Sequence, residues 1–547
     1  MKSTKITLLV TSFNSLTQAV YVWLRDRGYV VGVVYAKSLS MLEEIESFEP
    51  DLVLCPFLKD YVPSSVYDRY DTFVFHPGIR GDRGAYSLEW ALWESRDSWG
   101  GVWLRVVEEL DSGDIYASGE FKLRDSYKAS IYRNEELKTA VNSLEELLQN
   151  IKSNSFVPQL QKPMHPKFQT TIDWHKDTTK EIIKKINTLD SFPGVLDEIL
   201  GIECHLFGAH NEAKLRGNKP KEILAKRDGA ICISTIDGAL WVTHLREPHR
   251  FKLPATYVLK SRLQGIKEHR LPLIFDRSYE TFYEISCDMK GDVAYLHFDF
   301  HNGAFSSDKC IKLKYAFEYL KQQAKVIVLM GGLDFFSNGI HLNILEDSKK
   351  DGEDGWGNIN AMNDLVGSVL MSDDVITVAS LSKNAGAGGV FLALACDYVV
   401  CSDLCVLNPH YKTLGLSGSE YHTFTLPKRV GDKMAAELLD ECLPISSQKA
   451  KEIGMVDEVF GSNEYLSRLE EFAQGLVEDE DRYDDMLWDK QDFLEANQDK
   501  INECKQQELA TMHPEFWDED SIFHTLRYEF VYKICPTQTP KRLKNKF

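Results

Sequence analysis

Asn384-Ala385-Gly386-Ala387-Gly388-Gly389-Val390-Phe391-Leu392-Ala393-Leu394-Ala395-Cys396-Asp397, followed shortly by Asn408-Pro409-His410-Tyr411, is the stretch on which the fold of the second half turns. Small residues open into an apolar run, the pattern of a tight loop feeding a buried helix. Such a loop aims backbone N–H groups and a helix N-terminus at a ligand oxygen. A different cluster, His76-Pro77-Gly78 with Asp111, stands in the first half. One polypeptide therefore carries two chemistries, and its function has to account for both.

At 547 residues the chain exceeds one hydrophobic core, and length alone predicts about three to four domains. Lys2 and Lys5 precede the apolar run Ile6–Val10, which is too short for a secretion signal and reads as a first strand. No apolar stretch reaches the roughly 18 residues of a membrane helix, so the expectation is a cytoplasmic protein with no membrane partner. Eleven scattered cysteines without a CxxC pair indicate neither a disulfide framework nor a metal site. A formal charge of −20 argues against nucleic acid, which requires a basic face.

Outward from the opening stretch, the chain reads as α/β multidomain. In the first third, strands Ile6–Val10, Tyr29–Tyr35, Leu52–Cys55 and Thr72–Phe75 alternate with helices Leu16–Arg27 and Leu42–Phe48. That alternation predicts a parallel sheet covered on both faces, with ligands at the carboxyl ends of strands, where His76 falls. Residues 157–167 read as a linker. A helix at Thr178–Thr188 and short strands separated by turns such as Asp237-Gly238 predict a small barrel. After Arg277 come strands Val293–Phe298, Val326–Leu329 and Val375–Ser380, helices Asp308–Gln323 and Asn358–Met371, and an acidic, helical tail beyond Glu478. The boundaries expected are 1–167, 168–275, 276–475 and 476–547.

Phe75-His76-Pro77-Gly78-Ile79-Arg80-Gly81-Asp82-Arg83-Gly84 follows a strand, and Leu110-Asp111-Ser112-Gly113-Asp114-Ile115 follows about 35 residues later. A histidine at a strand end moves protons near neutral pH, or donates to a developing oxyanion. On spacing alone, a loop histidine with a purely structural role fits as well. His-Pro-Gly after a strand, Trp90, the strand Gly100–Glu108 and the Leu-Asp-x-Gly turn resemble the 10-formyltetrahydrofolate transferase and hydrolase family. Ile172-Asp173-Trp174, Phe192-Pro193-Gly194 and Asp237-Gly238-Ala239-Leu240 are similar to the C-terminal barrel of methionyl-tRNA formyltransferase. The resemblance implies a Rossmann-like first domain and an OB-like second, with His76 and Asp111 as the catalytic pair. Phe57, Leu58, Lys59 and Gly78 would line the pterin site. Val74 stands where that family has Asn, so a different donor must polarise the formyl group.

Val326–Asn343, with Phe336-Ser337-Asn338-Gly339-Ile340, and Ala387-Gly388-Gly389 through Asp397 resemble the crotonase (enoyl-CoA hydratase/isomerase) superfamily. That implies backbone N–H groups of Ile340 and Gly388 on a thioester oxygen, each donor stabilising an oxyanion by about 2.7–4 kcal/mol. Asn338, Gly339, Gly389 and Phe391 would complete the coenzyme A site. The two glutamates with which hydratases activate water are replaced by Phe391 and His410, so ordinary hydration is not expected. His410, Tyr411, Glu420 and Tyr421 remain as candidates for proton handling, with the base unassigned.

Together, the two resemblances are similar to the HypX (HoxX) type of hydrogenase maturation protein over essentially the whole chain. The family implies carbon monoxide synthesis for a nickel–iron site. A formyl group would pass from 10-formyltetrahydrofolate to coenzyme A, and formyl-CoA would then split into CO and CoA, with no metal needed. Other maturation proteins would receive the CO, and a monomer is expected. Two alternatives stay open: hydrolysis of the thioester to formate, and a CoA-binding scaffold whose crotonase-like half is inactive.

Overall fold

The computed structural model describes residues 4–160, 162–276 and 278–544. The chain divides into two compact units. The first holds residues up to Arg270, Asp276–Phe282 and the segment from Cys535 onward; the second holds Leu271–Phe275 and Tyr283–Ile534.

The first unit opens with strands β1 (Lys5–Val10), β2 (Val30–Tyr35), β3 (Leu52–Cys55), β4 (Thr72–His76), β5 (Ser98–Arg105) and β6 (Ile115–Lys122). They form one sheet in the order β2-β1-β3-β4-β5-β6. β1 to β4 run parallel and β5 and β6 antiparallel. β1, β2 and β3 are Val-, Leu- and Ile-rich because both faces are covered. The first crossover helix, Ser15–Asp26, starts where the Asn14 side chain accepts the Thr17 N–H, satisfying an otherwise orphaned donor. Cys55 pairs with Val74, so the chain leaving β3 at Phe57 and the end of β4 at His76 emerge side by side.

A second sheet comprises β7 (Val195–Ile199), β8 (Ile202–Glu212), β9 (Ile223–Arg227), β10 (Ala230–Ser234), β11 (Ala239–Arg246) and β12 (Leu253–Pro254). Its order is β7-β8-β11-β10-β9, with β12 on β11. Its strand-to-strand pairings are antiparallel and their path does not close on itself; β7 lies at one end, and β9 at the other carries a parallel bridge from Lys226 to Glu268. Asp237-Gly238 makes the predicted turn, closed by Thr235 N–H donating to Gly238 O.

The segment from Cys535 returns to the first unit instead of extending the helical tail. Leu39 N–H donates to Thr537 O, and Tyr35 N–H donates to the Thr539 hydroxyl. These bonds occupy donors at the end of the edge strand β2 that would otherwise stay open.

The second unit contains β13 (Ile285–Lys290), β14 (Val293–Phe298), β15 (Val326–Gly331), β16 (Ile376–Leu381), β17 (Ala385–Gly386), β18 (Tyr398–Ser402), β19 (Val406–Asn408), β20 (Ile445–Ser446) and β21 (Glu458–Phe460). The main sheet runs β13-β14-β15-β16-β18-β21, and β17-β19-β20 form a small one. Asp397, at the end of the opening motif, accepts from the Thr377 N–H and hydroxyl and from Lys490 Nζ on the long helix Glu480–Trp517. The helix expected from Asn358 begins at Asp351 instead. Phe516 packs where a side chain at its Gly355 would stand, 2.5 Å from that Cβ position.

Candidate active sites

His76 ends β4 and is 4% exposed. Its Nε2 lies 2.7 Å from Asp82 Oδ2, and its Nδ1 lies 3.5 Å from Asp111 Oδ2. Each ring nitrogen thus faces a carboxylate oxygen, and Ser87 Oγ lies 3.4 Å from Nε2. Asp111 adopts φ 53° in the Leu-Asp-Ser-Gly turn and accepts the Gly84 N–H. A Cβ at Gly78 would stand 2.6 Å from His76 Nε2 and 2.3 Å from Asp82 Oδ2. The glycine is therefore needed for the His–Asp contact itself.

The stretch read as a linker is a strap across this loop. Arg80 Nε donates to Pro158 O, Gly81 N–H to Gln159 Oε1, Arg83 Nη1 to Lys162 O, and His165 N–H to Arg83 O. It brings His165 Nε2 to 3.0 Å from Asp82 Oδ1, with the His165 ring stacked on Trp90. Near Phe75 and Gly101, Glu136 is fully buried, and burial drives its carboxyl well above the usual carboxylate range. Val74 packs among Val102, Leu104 and Ile115. The position that holds a polar side chain in the formyltransferase family is apolar here in its surroundings as well as in its identity.

At the neighbouring strand end, Thr11 N–H donates to Phe57 O and Lys59 N–H to the Thr11 hydroxyl, while Lys59 Nζ sits 5.5 Å from the Phe57 ring centre. Leu58 packs on the cluster of Leu9, Val34 and Val53.

In the second unit, Phe336–Ile340 is held between two loops. Phe336 N–H donates to Asn384 O, Gly386 N–H to Ser337 O, and Asn338 N–H to Gly303 O. The Asn338 side chain donates to Asn302 O, which makes it a brace for the adjoining turn. Phe305 N–H donates to Gly339 O and His341 N–H to Phe305 O, a pairing that leaves the Ile340 N–H outside it. Gly388 is the first residue of the helix Gly388–Leu394, and a first-turn N–H has no partner within its helix. A Cβ at Gly339 (φ +77°) would lie 3.3 Å from Gly388 N, so the two loops meet at this point. Ala387 is held at φ 47°, ψ −130°, a conformation L-residues rarely adopt and one found where a site imposes it. A Cβ at Gly389 would strike Ser337 O at 2.3 Å.

Over this junction stands Glu420, 1% exposed, with Oε2 3.0 Å from the Cβ position of Gly388. Tyr411 Oη donates to Glu420 Oε2 at 2.5 Å and to Ser419 O at 3.0 Å. Asn363 Oδ1 accepts the Glu420 N–H. Burial pushes the Glu420 carboxyl up to about 7, with the Tyr411 hydrogen bond acting the other way. Burial and the adjacent Glu420 drive the Tyr411 phenol far above its ordinary range, so the proton of this pair belongs to tyrosine. Phe391 stacks on Tyr411 with ring centres 5.3 Å apart and 14° between planes, and His422 packs against both rings.

Glu420 and Tyr421 are both left-handed, at φ 62° and 58°. That turn is held by Glu508 of the long helix, which accepts the N–H groups of Tyr421 and Thr423 and lies 3.2 Å from His422 Nδ1. Tyr421 Oη points to Gly367, 2.5 Å from its Cβ position, one helical turn beyond Asn363. No hydrogen bond among the described residues joins that hydroxyl to Glu420 or Tyr411. His410 is buried beside Tyr411 in the loop after β19, its N–H donating to Asn408 O.

Of the expected residues, the structure thus gathers His76 with Asp111, and Gly339, Gly388, Phe391, Tyr411 and Glu420 with one another. Asp82, His165, Asn363, His422 and Glu508 were not singled out in the sequence. Asp82 lies inside the Phe75–Gly84 motif, two residues after Arg80, and its spacing of six from His76 is the only signal it gives. Glu508 is one acid among many in a charged helix and gives none. Among the described residues, no group of three or more His, Cys, Asp or Glu side chains could hold a metal ion, and no helix is long and apolar enough to cross a membrane.

These features define a two-part enzyme class: a formyltransferase joined to a crotonase-type domain. Residues 166–263 match the formyl transferase C-terminal domain and residues 289–531 the enoyl-CoA hydratase/isomerase family. The hydrogenase maturation factor HoxX of Bradyrhizobium diazoefficiens is 35% identical over 98% of this chain and 96% of its own. A doubly substituted variant of HypX from Aquifex aeolicus superposes with a TM-score of 0.96 at 38% identity over the whole of both chains. HypX from the same organism in complex with tetrahydrofolic acid gives 0.94 at 39% identity, over 99% of each. The chain belongs to the HypX/HoxX family of hydrogenase maturation factors.

Proposed function

We propose that this chain makes carbon monoxide for hydrogenase maturation in two steps, formyl transfer from 10-formyltetrahydrofolate to coenzyme A and decarbonylation of formyl-CoA. Kinship with HypX/HoxX and the tetrahydrofolic acid bound by the Aquifex aeolicus relative support the folate and maturation assignments. In the first step His76, set between Asp82 and Asp111, manages the protons as sulfur replaces the folate nitrogen on the formyl carbon. A thiol is both a competent nucleophile and a good leaving group, so one cofactor serves both steps.

The observation that carries the second step is Glu420, a buried carboxyl brought to about 7 and placed over Gly388. The N–H groups of Ile340 and Gly388 donate to the formyl oxygen and polarise the carbonyl. Glu420 removes the formyl hydrogen as a proton. The C–H electron pair stays on carbon to complete CO, and the C–S pair leaves with the thiolate. The proton on Glu420 then returns to sulfur, regenerating CoA. A base poised near the working pH suits this task.

Hydrolysis to formate is the competing outcome; the family resemblance sets Phe391, which stacks on Tyr411, at the position of a hydratase's water-activating carboxylate. Supplying formyl-CoA directly tests the step. CO with no formate is the expected product, and formate alone would replace the decarbonylase with a thioesterase. Recipients of the CO would be other hydrogenase maturation proteins.

A further inference from the structure

Asp82 is the unexpected group in the first site. It is almost fully buried, and its two oxygens face two different histidines, Oδ2 to His76 Nε2 at 2.7 Å and Oδ1 to His165 Nε2 at 3.0 Å. The three side chains run from inside to outside, with side-chain exposures of 4%, 3% and 33% for His76, Asp82 and His165. The described strap residues, 158–160 and 162–166, fix the outer histidine through the bonds to residues 80–84 and through Trp90 Nε1 donating to Pro166 O.

The other charged groups around this row do not disrupt it. Asp111 lies on the far nitrogen of His76. Arg83 turns away to Glu109 and Leu110 O. Glu136 and Tyr132, buried near Asp82, have both been driven toward their neutral forms by burial and neighbouring acids. A carboxylate can only accept, so each ring nitrogen of His76 faces a hydrogen-bond acceptor.

We propose that Asp82 and His165 form a proton relay connecting His76 to solvent during formyl transfer; the proposal rests on the formyltransferase reading above. Transfer breaks one C–N and one S–H bond and forms one C–S and one N–H bond. The thiol proton must therefore leave sulfur, and a proton must reach the folate nitrogen. The relay lets the first go to solvent and the second come from it, with no net proton consumed. Asp82 and His165 act through His76, and so are positioning residues rather than groups touching substrate.

The test is CoA-dependent release of tetrahydrofolate by the full chain in dilute, imidazole-free buffer, and again with added imidazole. His165→Ala, at a part-exposed position, is expected to lower kcat by about tenfold to a hundredfold, within the range of a lost proton-transfer group. KM for 10-formyltetrahydrofolate should hardly change, and imidazole should restore most of the rate. Asp82→Asn should lose at least as much and gain nothing from imidazole. A His165→Ala enzyme that is as fast as the parent, or slow and indifferent to imidazole, would overturn the relay alone. An Asp82→Asn enzyme at full rate would do the same. No CoA-dependent tetrahydrofolate from the unmodified chain would overturn the functional reading and the relay with it.

Discussion

The two sites handle protons by opposite means. At His76, a carboxylate faces each ring nitrogen, one of the two carboxylates also meets a second histidine, and the row ends at that part-exposed side chain. At Glu420, one carboxyl lies under aromatic rings, with a tyrosine hydroxyl as its hydrogen-bond donor. The proposed first reaction moves one proton from sulfur and another to nitrogen, so access to solvent would help it. The proposed second takes a proton from carbon and returns it to sulfur while water would destroy the substrate, so exclusion of solvent would help it. The surroundings of each proton carrier match the reaction assigned to it.

The largest effect that breaks the comparison is Glu420→Gln. CO release from supplied formyl-CoA should fall by about 10³-fold or more, near the upper range for removing a general base, while tetrahydrofolate release continues. His76→Ala should act in the other half, lowering CoA-dependent tetrahydrofolate release by about 10²-fold or more while supplied formyl-CoA still yields CO. The pH profiles should separate the two as well. Glu420 must be ionised to accept a proton, and its carboxyl stands at about 7. CO release from formyl-CoA should therefore rise with pH and level off above neutrality; a rate that stays flat from mildly acidic to mildly basic pH, on both sides of that value, would remove Glu420 as the base.

Phe391→Ala sharpens the contrast at smaller scale. Opening the ring stack admits water, and the ratio of formate to CO should rise about tenfold, read by product analysis. The smallest effect is expected of Val74→Asn, which restores the residue of the formyltransferase family. Because Val74 packs among apolar side chains, burying an amide there should cost about 1–3 kcal/mol, visible as a lower urea midpoint, with no gain in transfer rate.

Much of this was legible in the sequence, for definite reasons. Gly388 and Gly389 mark the crotonase-type loop because any side chain at either would collide, with Glu420 in one case and Ser337 O in the other. His76 was legible because it closes a parallel strand. Residues 157–167 read as a linker, and the described residues 158–160 and 162–166 lie as a strap: prolines and polar residues signal an absence of regular structure, which a strap and a linker share. The Glu420–Tyr421 turn was legible only as a motif, since its left-handed backbone depends on Glu508, far along the chain. The assignment of Tyr421 beside Glu420 followed from adjacency in sequence, whereas two successive left-handed residues put the Tyr421 hydroxyl by Gly367 on the helix Asp351–Leu370 and the Glu420 carboxyl by Gly388 and Tyr411.

The most direct test of the central claim supplies carbon-labelled 10-formyltetrahydrofolate and a substoichiometric amount of coenzyme A to the purified chain without oxygen, trapping gas with reduced haemoglobin. The account predicts labelled CO equal to the tetrahydrofolate formed, with CoA required yet recovered unchanged. Labelled formate without CO, or CO formed equally well without CoA, would contradict it.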